Sequence, residues 1–125
     1  MHSDHKSDPC VVYGIKNCDT VKKARAWLQA HGVEYRFHDL RTDGLEPERL
    51  QAWEAAVGWE RLLNKSGTTF RKLPEERKTG LDRERALALL LEQPTLIRRP
   101  VVEAGGRILV GFKEAEFATL TEANA

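Results

Sequence analysis

Long apolar runs are missing from this chain of 125 residues. Nothing in it approaches the roughly 20 consecutive apolar residues that a membrane-crossing helix requires, so no membrane association is expected. The opening residues MHSDHKSDP lack the apolar segment of a secretory signal, and the polar stretch 1–9 reads as a disordered tail. Cysteine is scarce. Cys10 and Cys18 are the only two, too few for a disulfide framework, which favours a reducing, cytoplasmic setting. Charge of one sign is not in excess either: 20 basic and 19 acidic residues leave a net charge of +1, which argues against nucleic acid as a partner. The four histidines, His2, His5, His31 and His38, show no zinc-ligand spacing with one another or with the cysteines, so no metal is expected. Repeats and low-complexity segments are absent as well.

What remains is the composition of an ordinary globular domain, and residues 10–121 have room for a single core. Residues 10–14 (CVVYG) are apolar and β-branched and close on glycine, the pattern of a short buried strand. After Ile15-Lys16-Asn17, apolar or aromatic positions recur at Val21, Ala24, Trp27, Leu28 and His31, one face of a helix that Gly32 stops. Residues 34–40 then alternate as a strand, with Tyr35 and Phe37 on one side and Arg36 and His38 on the other. A βαβ unit with a parallel pair follows.

Pro47 suits a helix first turn, and Leu50, Trp53 and Val57 repeat at helical spacing up to Gly58. The stretch 59–81 mixes glycine, proline and charge without a clean period; it reads as a short helix around Arg61–Leu63 and then loop. Asp82 is the expected N-cap of a helix through Leu87, Leu90 and Leu91 that must stop before Pro94. Val101-Val102 and Ile108–Val110 form a hairpin around a glycine turn, and a last helix from about Lys113 to Leu120 presents Ala115, Phe117 and Leu120. The order β-α-β, helices, β-β-α predicts an α/β, thioredoxin-like fold with a helical insertion, roughly residues 47–92, between its βαβ and ββα halves.

Cys18 stands where the first strand gives way to a helix beginning near Asp19. Unpaired backbone N–H groups and the positive end of the helix dipole favour a thiolate at such a place. Lys16, Lys22 and Lys23 add to that field in sequence, and Asp19 opposes it. From position alone, a reactive thiol and an inert, half-buried cysteine are both open. Position 21 is valine, so there is no CxxC dithiol. Cys10 lies in the strand, where core packing is the favoured reading over a resolving role. A reacting Cys18 would therefore need an external thiol, and glutathione is the obvious one.

Two further segments draw notice. In Leu96–Val102, Arg98 and Arg99 could grip an oxyanion or carboxylate, or form a solvated charge pair, and Pro100 leads into a strand. Asn64-Lys65-Ser66-Gly67-Thr68-Thr69 has a composition suited to contact with an anion but lacks the spacing of a phosphate-binding P-loop. Trp27, Trp53 and Trp59 fall on or beside helical faces, which points to core packing.

Three segments taken in order, VVYGIKNCDTVKKARAWLQAHGVEYRFHDLRTDGL, LLNKSGTTFRKL and PTLIRRPVV, resemble the arsenate reductase-related (ArsC-like) family, most closely its YffB-type branch, from about Val11 to Leu120. The resemblance implies a thioredoxin-like domain in which Cys18 is the nucleophile and Arg99 the arginine preceding a cis proline, Pro100. Two other oxyanion arginines of true arsenate reductases do not carry over, since Asn64, followed by Lys65, and Val110 stand in their places. The implied activity is a cytoplasmic, glutathione-coupled thiol reductase with no bound cofactor, glutathione as co-substrate, a small anionic or thiol substrate, glutaredoxin as a further partner, and a monomeric state. Lys16, Asn17, Asn64, Lys65, Arg98 and Pro100 are the expected substrate or glutathione contacts. Arsenate reduction is the alternative. Another is a non-catalytic module like the Spx-type regulators, which share the fold, bind RNA polymerase and often carry CxxC as a redox switch, against which Val21 argues.

Overall fold

The computed structural model describes residues 10–122, so the expected tail 1–9 lies outside the described residues. Two compact units make up the chain. One takes in the chain up to Asp39 and from Arg99 onward; the other is Leu40–Arg98.

The first unit holds a four-stranded sheet in the order β2-β1-β3-β4. Strand β1 (Cys10–Gly14) pairs parallel with β2 (Tyr35–Asp39) and antiparallel with β3 (Val101–Ala104), which pairs antiparallel with β4 (Arg107–Val110). Every residue of β1 is buried, as its unbroken apolar run requires of a central strand. Helix α1 (Asp19–Ala30) joins β1 to β2, and α7 (Glu114–Glu122) follows β4. Cys10 and Val12 share one face of β1 and pack with Ala24 and Leu28 of α1, Phe117 and Leu120 of α7, Val102 and Leu109. Phe112 and Trp27 each meet the Phe117 ring edge to face, at centroid distances of 4.8 and 5.6 Å. This is the thioredoxin-like arrangement, with the second unit inserted between β2 and β3.

Local chemistry fixes these elements. Val21, Ala24 and Leu28 are the buried stripe of α1. Arg25 fastens the helix to β2: its Nε donates to the Tyr35 hydroxyl at 3.0 Å and its guanidinium lies 4.2 Å from the Phe37 ring centre. The β3–β4 hairpin turns on Gly105 and Gly106, both at positive φ (55° and 80°), as a two-residue type I′ turn demands.

The second unit is helical. Helix α2 (Pro47–Val57) buries Leu50 and Trp53 and packs on α3 (Trp59–Leu62) and α6 (Arg83–Glu92). A 3-10 turn, Pro94–Leu96, follows α6. An isolated bridge pairs Leu63 with Ile97, flanked by hydrogen bonds from the Asn64 amide to the Leu96 carbonyl (2.8 Å) and from the Arg98 amide to the Leu62 carbonyl (2.7 Å).

Several expectations need correction here. The loop expected after Leu63 contains two one-turn helices, α4 (Thr68–Arg71) and α5 (Glu75–Lys78), and the helix expected around Arg61–Leu63 is α3, Trp59–Leu62. Four residues are too few to display a period. Cations close the turns around them: Arg71 Nη2 donates to Ser66 O (2.9 Å) before α4, Lys78 Nζ to Arg71 O (3.0 Å) at the end of α4, and Arg85 Nη1 to Gly80 O (3.0 Å) after α5. Leu91 is exposed and Leu89 buried on α6, Ala115 is exposed on α7, and His31 is exposed, its ring stacked on Trp27 at 3.8 Å. His38 is half-buried against the Tyr13 ring.

The expected cap of α6 is present: the Asp82 side chain accepts the Arg85 amide at 2.9 Å. Replacing Asp82 with alanine should cost about 1 kcal/mol of stability, and Asp82→Asn should keep most of it. Urea titration of both variants checks this.

Candidate active site

The sheet register defines the site. Gly14 ends β1 beside Asp39, the end of β2, while Tyr13 pairs with Val101, the start of β3. The start of α1 and the approach to β3 therefore lie at the same end of the sheet. Between Gly14 and Cys18 run only Ile15, Lys16 and Asn17, and the last two are exposed.

Cys18 is the N-cap of α1, in extended conformation (φ −120°, ψ 121°), and its carbonyl accepts the Lys22 amide at 2.9 Å. The Cys18 side chain makes no capping hydrogen bond among the described residues. The Cys18 side chain itself stands where the first N–H groups of α1 are open, and it is half-buried rather than sealed. Val21, the position a second CxxC thiol would take, is fully buried.

Cys10 is a contrast. It is only 7% exposed, within the core cluster, and burial pushes its thiol up to about 11 from an ordinary 9.0. Nothing in its surroundings suits it to attack or to resolve a disulfide at neutral pH. Core packing accounts for it.

At the opposite strand, the Arg99–Pro100 peptide is cis. Pro100 is buried and Arg99 half-buried, and the Pro100 carbonyl accepts the Gly111 amide at 2.8 Å, which ties the bend to the end of β4. Cys18, Lys16, Asn17, Arg99 and Pro100 all belong to the first unit.

The other expected contacts, Asn64, Lys65 and Arg98, belong to the second unit. There the Asn64 Oδ1 accepts from the Ser66 amide (3.2 Å) and hydroxyl (2.9 Å), shaping a turn, and Lys65 is exposed. Arg98 donates through Nε to the Arg61 carbonyl at 3.1 Å, so that part of its fork is committed to the backbone. The sequence reading missed the close approach of Gly14 to Val21, where a β-carbon on the glycine would meet the valine side chain. A glycine closing a buried strand, with a β-branched residue in the first turn of the next helix, is the signal that could have found it.

Comparison with known proteins places this geometry. The family model described as "ArsC family" matches residues 13–120, the span that carries Cys18, Arg99 and Pro100. The chain belongs to the ArsC family. A solved structure named YFFB protein is 53% identical and superposes with a TM-score of 0.86 over 89% of this chain and 97% of that one. An uncharacterised protein of Haemophilus influenzae is 51% identical over 106 residues, 85% of this chain and 93% of its own length. The global transcriptional regulator Spx of Enterococcus faecalis is 32% identical over 107 residues, 84% of this chain and 80% of its own. Within the ArsC family, then, this chain is similar both to YFFB and to proteins named for transcriptional control.

The Cys10 thiol gives a pH test. Its neutral form is favoured in the fold, so its contribution is intact below about pH 9 and is lost as pH rises toward about 11. The stability advantage of the wild type over Cys10→Ala should shrink across that window, by roughly 2–3 kcal/mol at most. Denaturant unfolding of the pair at pH 8, 9, 10 and 11 measures it.

Proposed function

We propose that this chain is a thiol reductase that acts through one nucleophile, Cys18, and is recycled by glutathione. One observation carries the reading: of the two cysteines, one is accessible at a helix start and the other sealed in the core, with valine at position 21. A single accessible sulfur can attack but cannot resolve its own disulfide. The family membership and the cis Arg99–Pro100 peptide at the same sheet end support it.

In the proposed cycle the Cys18 thiolate attacks the glutathione sulfur of a mixed disulfide. The sulfur–sulfur bond breaks, the substrate leaves as a thiolate that takes a proton, and Cys18 is left joined to glutathione. A second glutathione thiolate attacks that adduct, regenerating Cys18 and leaving as oxidised glutathione. The substrate disulfide is reduced and glutathione is oxidised, so electrons and atoms balance. The open amides of α1 stabilise the attacking and leaving sulfur. Arg99 and Lys16 offer positive charge to the carboxylates of glutathione, with Asn17 as a polar contact and Pro100 as the fixed wall. The cycle needs a compartment rich in reduced glutathione, which suits the cytoplasm, and on this reading glutaredoxin is a further partner and the protein acts as a monomer.

Arsenate is the less favoured substrate. Val110 is buried in β4 and Asn64 turns its carbonyl oxygen onto Ser66, so neither position supplies a guanidinium. The identity with Spx favours a second reading, a binding module for the transcription machinery.

Treatment with oxidised glutathione followed by intact mass should give one adduct, on Cys18, which reduced glutathione removes; Cys18→Ser should take none. An adduct on Cys10, or no adduct at all, overturns the proposal. Co-purification of transcription machinery with an unmodified Cys18 would put the binding module in its place.

A further inference from the structure

We infer that Gly14 is a positioning residue for Cys18, acting through Val21. The inference rests on the reading of Cys18 as the reactive thiol, and not on the identity of its reductant. A β-carbon built at Gly14 would lie 2.7 Å from Val21 Cγ2, 3.2 Å from Cγ1 and 3.5 Å from Cβ. All three contacts fall on one side chain, and the first is shorter than any real carbon contact.

That side chain has no easy retreat. Valine in a helix holds one strongly preferred χ1 rotamer, because the others run into the preceding turn. Val21 is also fully buried, so rotating it drives a methyl group into packed neighbours. What can move is the helix. Val21 is the third residue of α1 and Cys18 is its N-cap, joined by the hydrogen bond from the Lys22 amide to the Cys18 carbonyl. Lifting the first turn away from β1 would carry Cys18 with it.

The other side of the contact is rigid. Gly14 is the last residue of the central strand, buried and in register with Asp39 of β2. Its φ is not positive, so backbone conformation gives no reason for glycine here. Space against Val21 does. The bare backbone of Gly14 thus sets how closely α1 seats on the sheet, and the three-residue connector 15–17 transmits that seating to the sulfur.

Four proteins test the inference: wild type, Gly14→Ala, Val21→Ala and the double variant. The second-order rate of iodoacetamide labelling is read separately at Cys18 and Cys10 by peptide mass. Gly14→Ala should slow Cys18 labelling about fivefold while Cys10 stays protected. Mere loss of stability would do the reverse, opening Cys10 and leaving Cys18 no slower. Val21→Ala removes both Cγ atoms, so the double variant should recover Cys18 labelling to within about twofold of wild type. A wild-type rate in Gly14→Ala, or a double variant as slow as the single one, overturns the inference. Should Gly14→Ala not fold, the double variant decides: folded with a near wild-type rate supports the inference, and unfolded or slow overturns it. Failure of wild-type Cys18 to take up glutathione would remove the glutathione reading and leave this test standing, because iodoacetamide reads the thiolate at Cys18 without glutathione taking part.

Discussion

The seating of one helix on the end of one strand governs the chemistry of this molecule. Strand β1 is buried along its whole length, and after three connecting residues the chain must begin α1 with Cys18 at its cap. The apolar stripe Val21, Ala24 and Leu28 draws α1 down onto the sheet, with Ala24 and Leu28 reaching the same cluster as Phe117 of α7. Hydrophobic burial supplies the force and Gly14 sets the distance of approach. Without that close contact, the amides that open α1 would face solvent at a less defined place, and the sulfur would lose its fixed relation to the bend at Pro100.

The sequence was most legible where a residue's chemistry is local. The β1 run, the alternation of β2, the cap at Asp82 and the double glycine of the hairpin each act within a few residues, and each element lies where the pattern put it. Cys18 at a helix start was legible for the same reason. The cis bond at Pro100 was not, since proline alone leaves trans the default, and only family resemblance pointed to it. The close approach of Gly14 to Val21 joins residues on a strand and a helix, and no periodicity encodes it.

The segment 59–81 was least legible because its buried side chains, Leu62, Leu63, Phe70 and Leu73, fall in helices and turns too short to show a period, while charges close those turns at short range. Arg71, Lys78 and Arg85 each donate to a carbonyl five to seven residues earlier, closing turns too short for an apolar period. A salt link from Arg83 to Glu54 (2.9 Å) and another from Arg77 to Glu92 (3.0 Å) join helices in the same unit. Composition shows such residues only as a solvated mixture. Individually these exposed contacts contribute little, and their effect is to choose one backbone path among many.

The order of the strands has a consequence for the segment that joins them. Because β1 lies between β2 and β3, and because β2 ends where β3 begins, the gap from Asp39 to Val101 is two strand spacings, roughly 10 Å. A handful of residues would bridge it. The whole of Leu40–Arg98 is therefore far longer than the connection between β2 and β3 demands, so the length and charge of this segment are not set by the need to join the two strands.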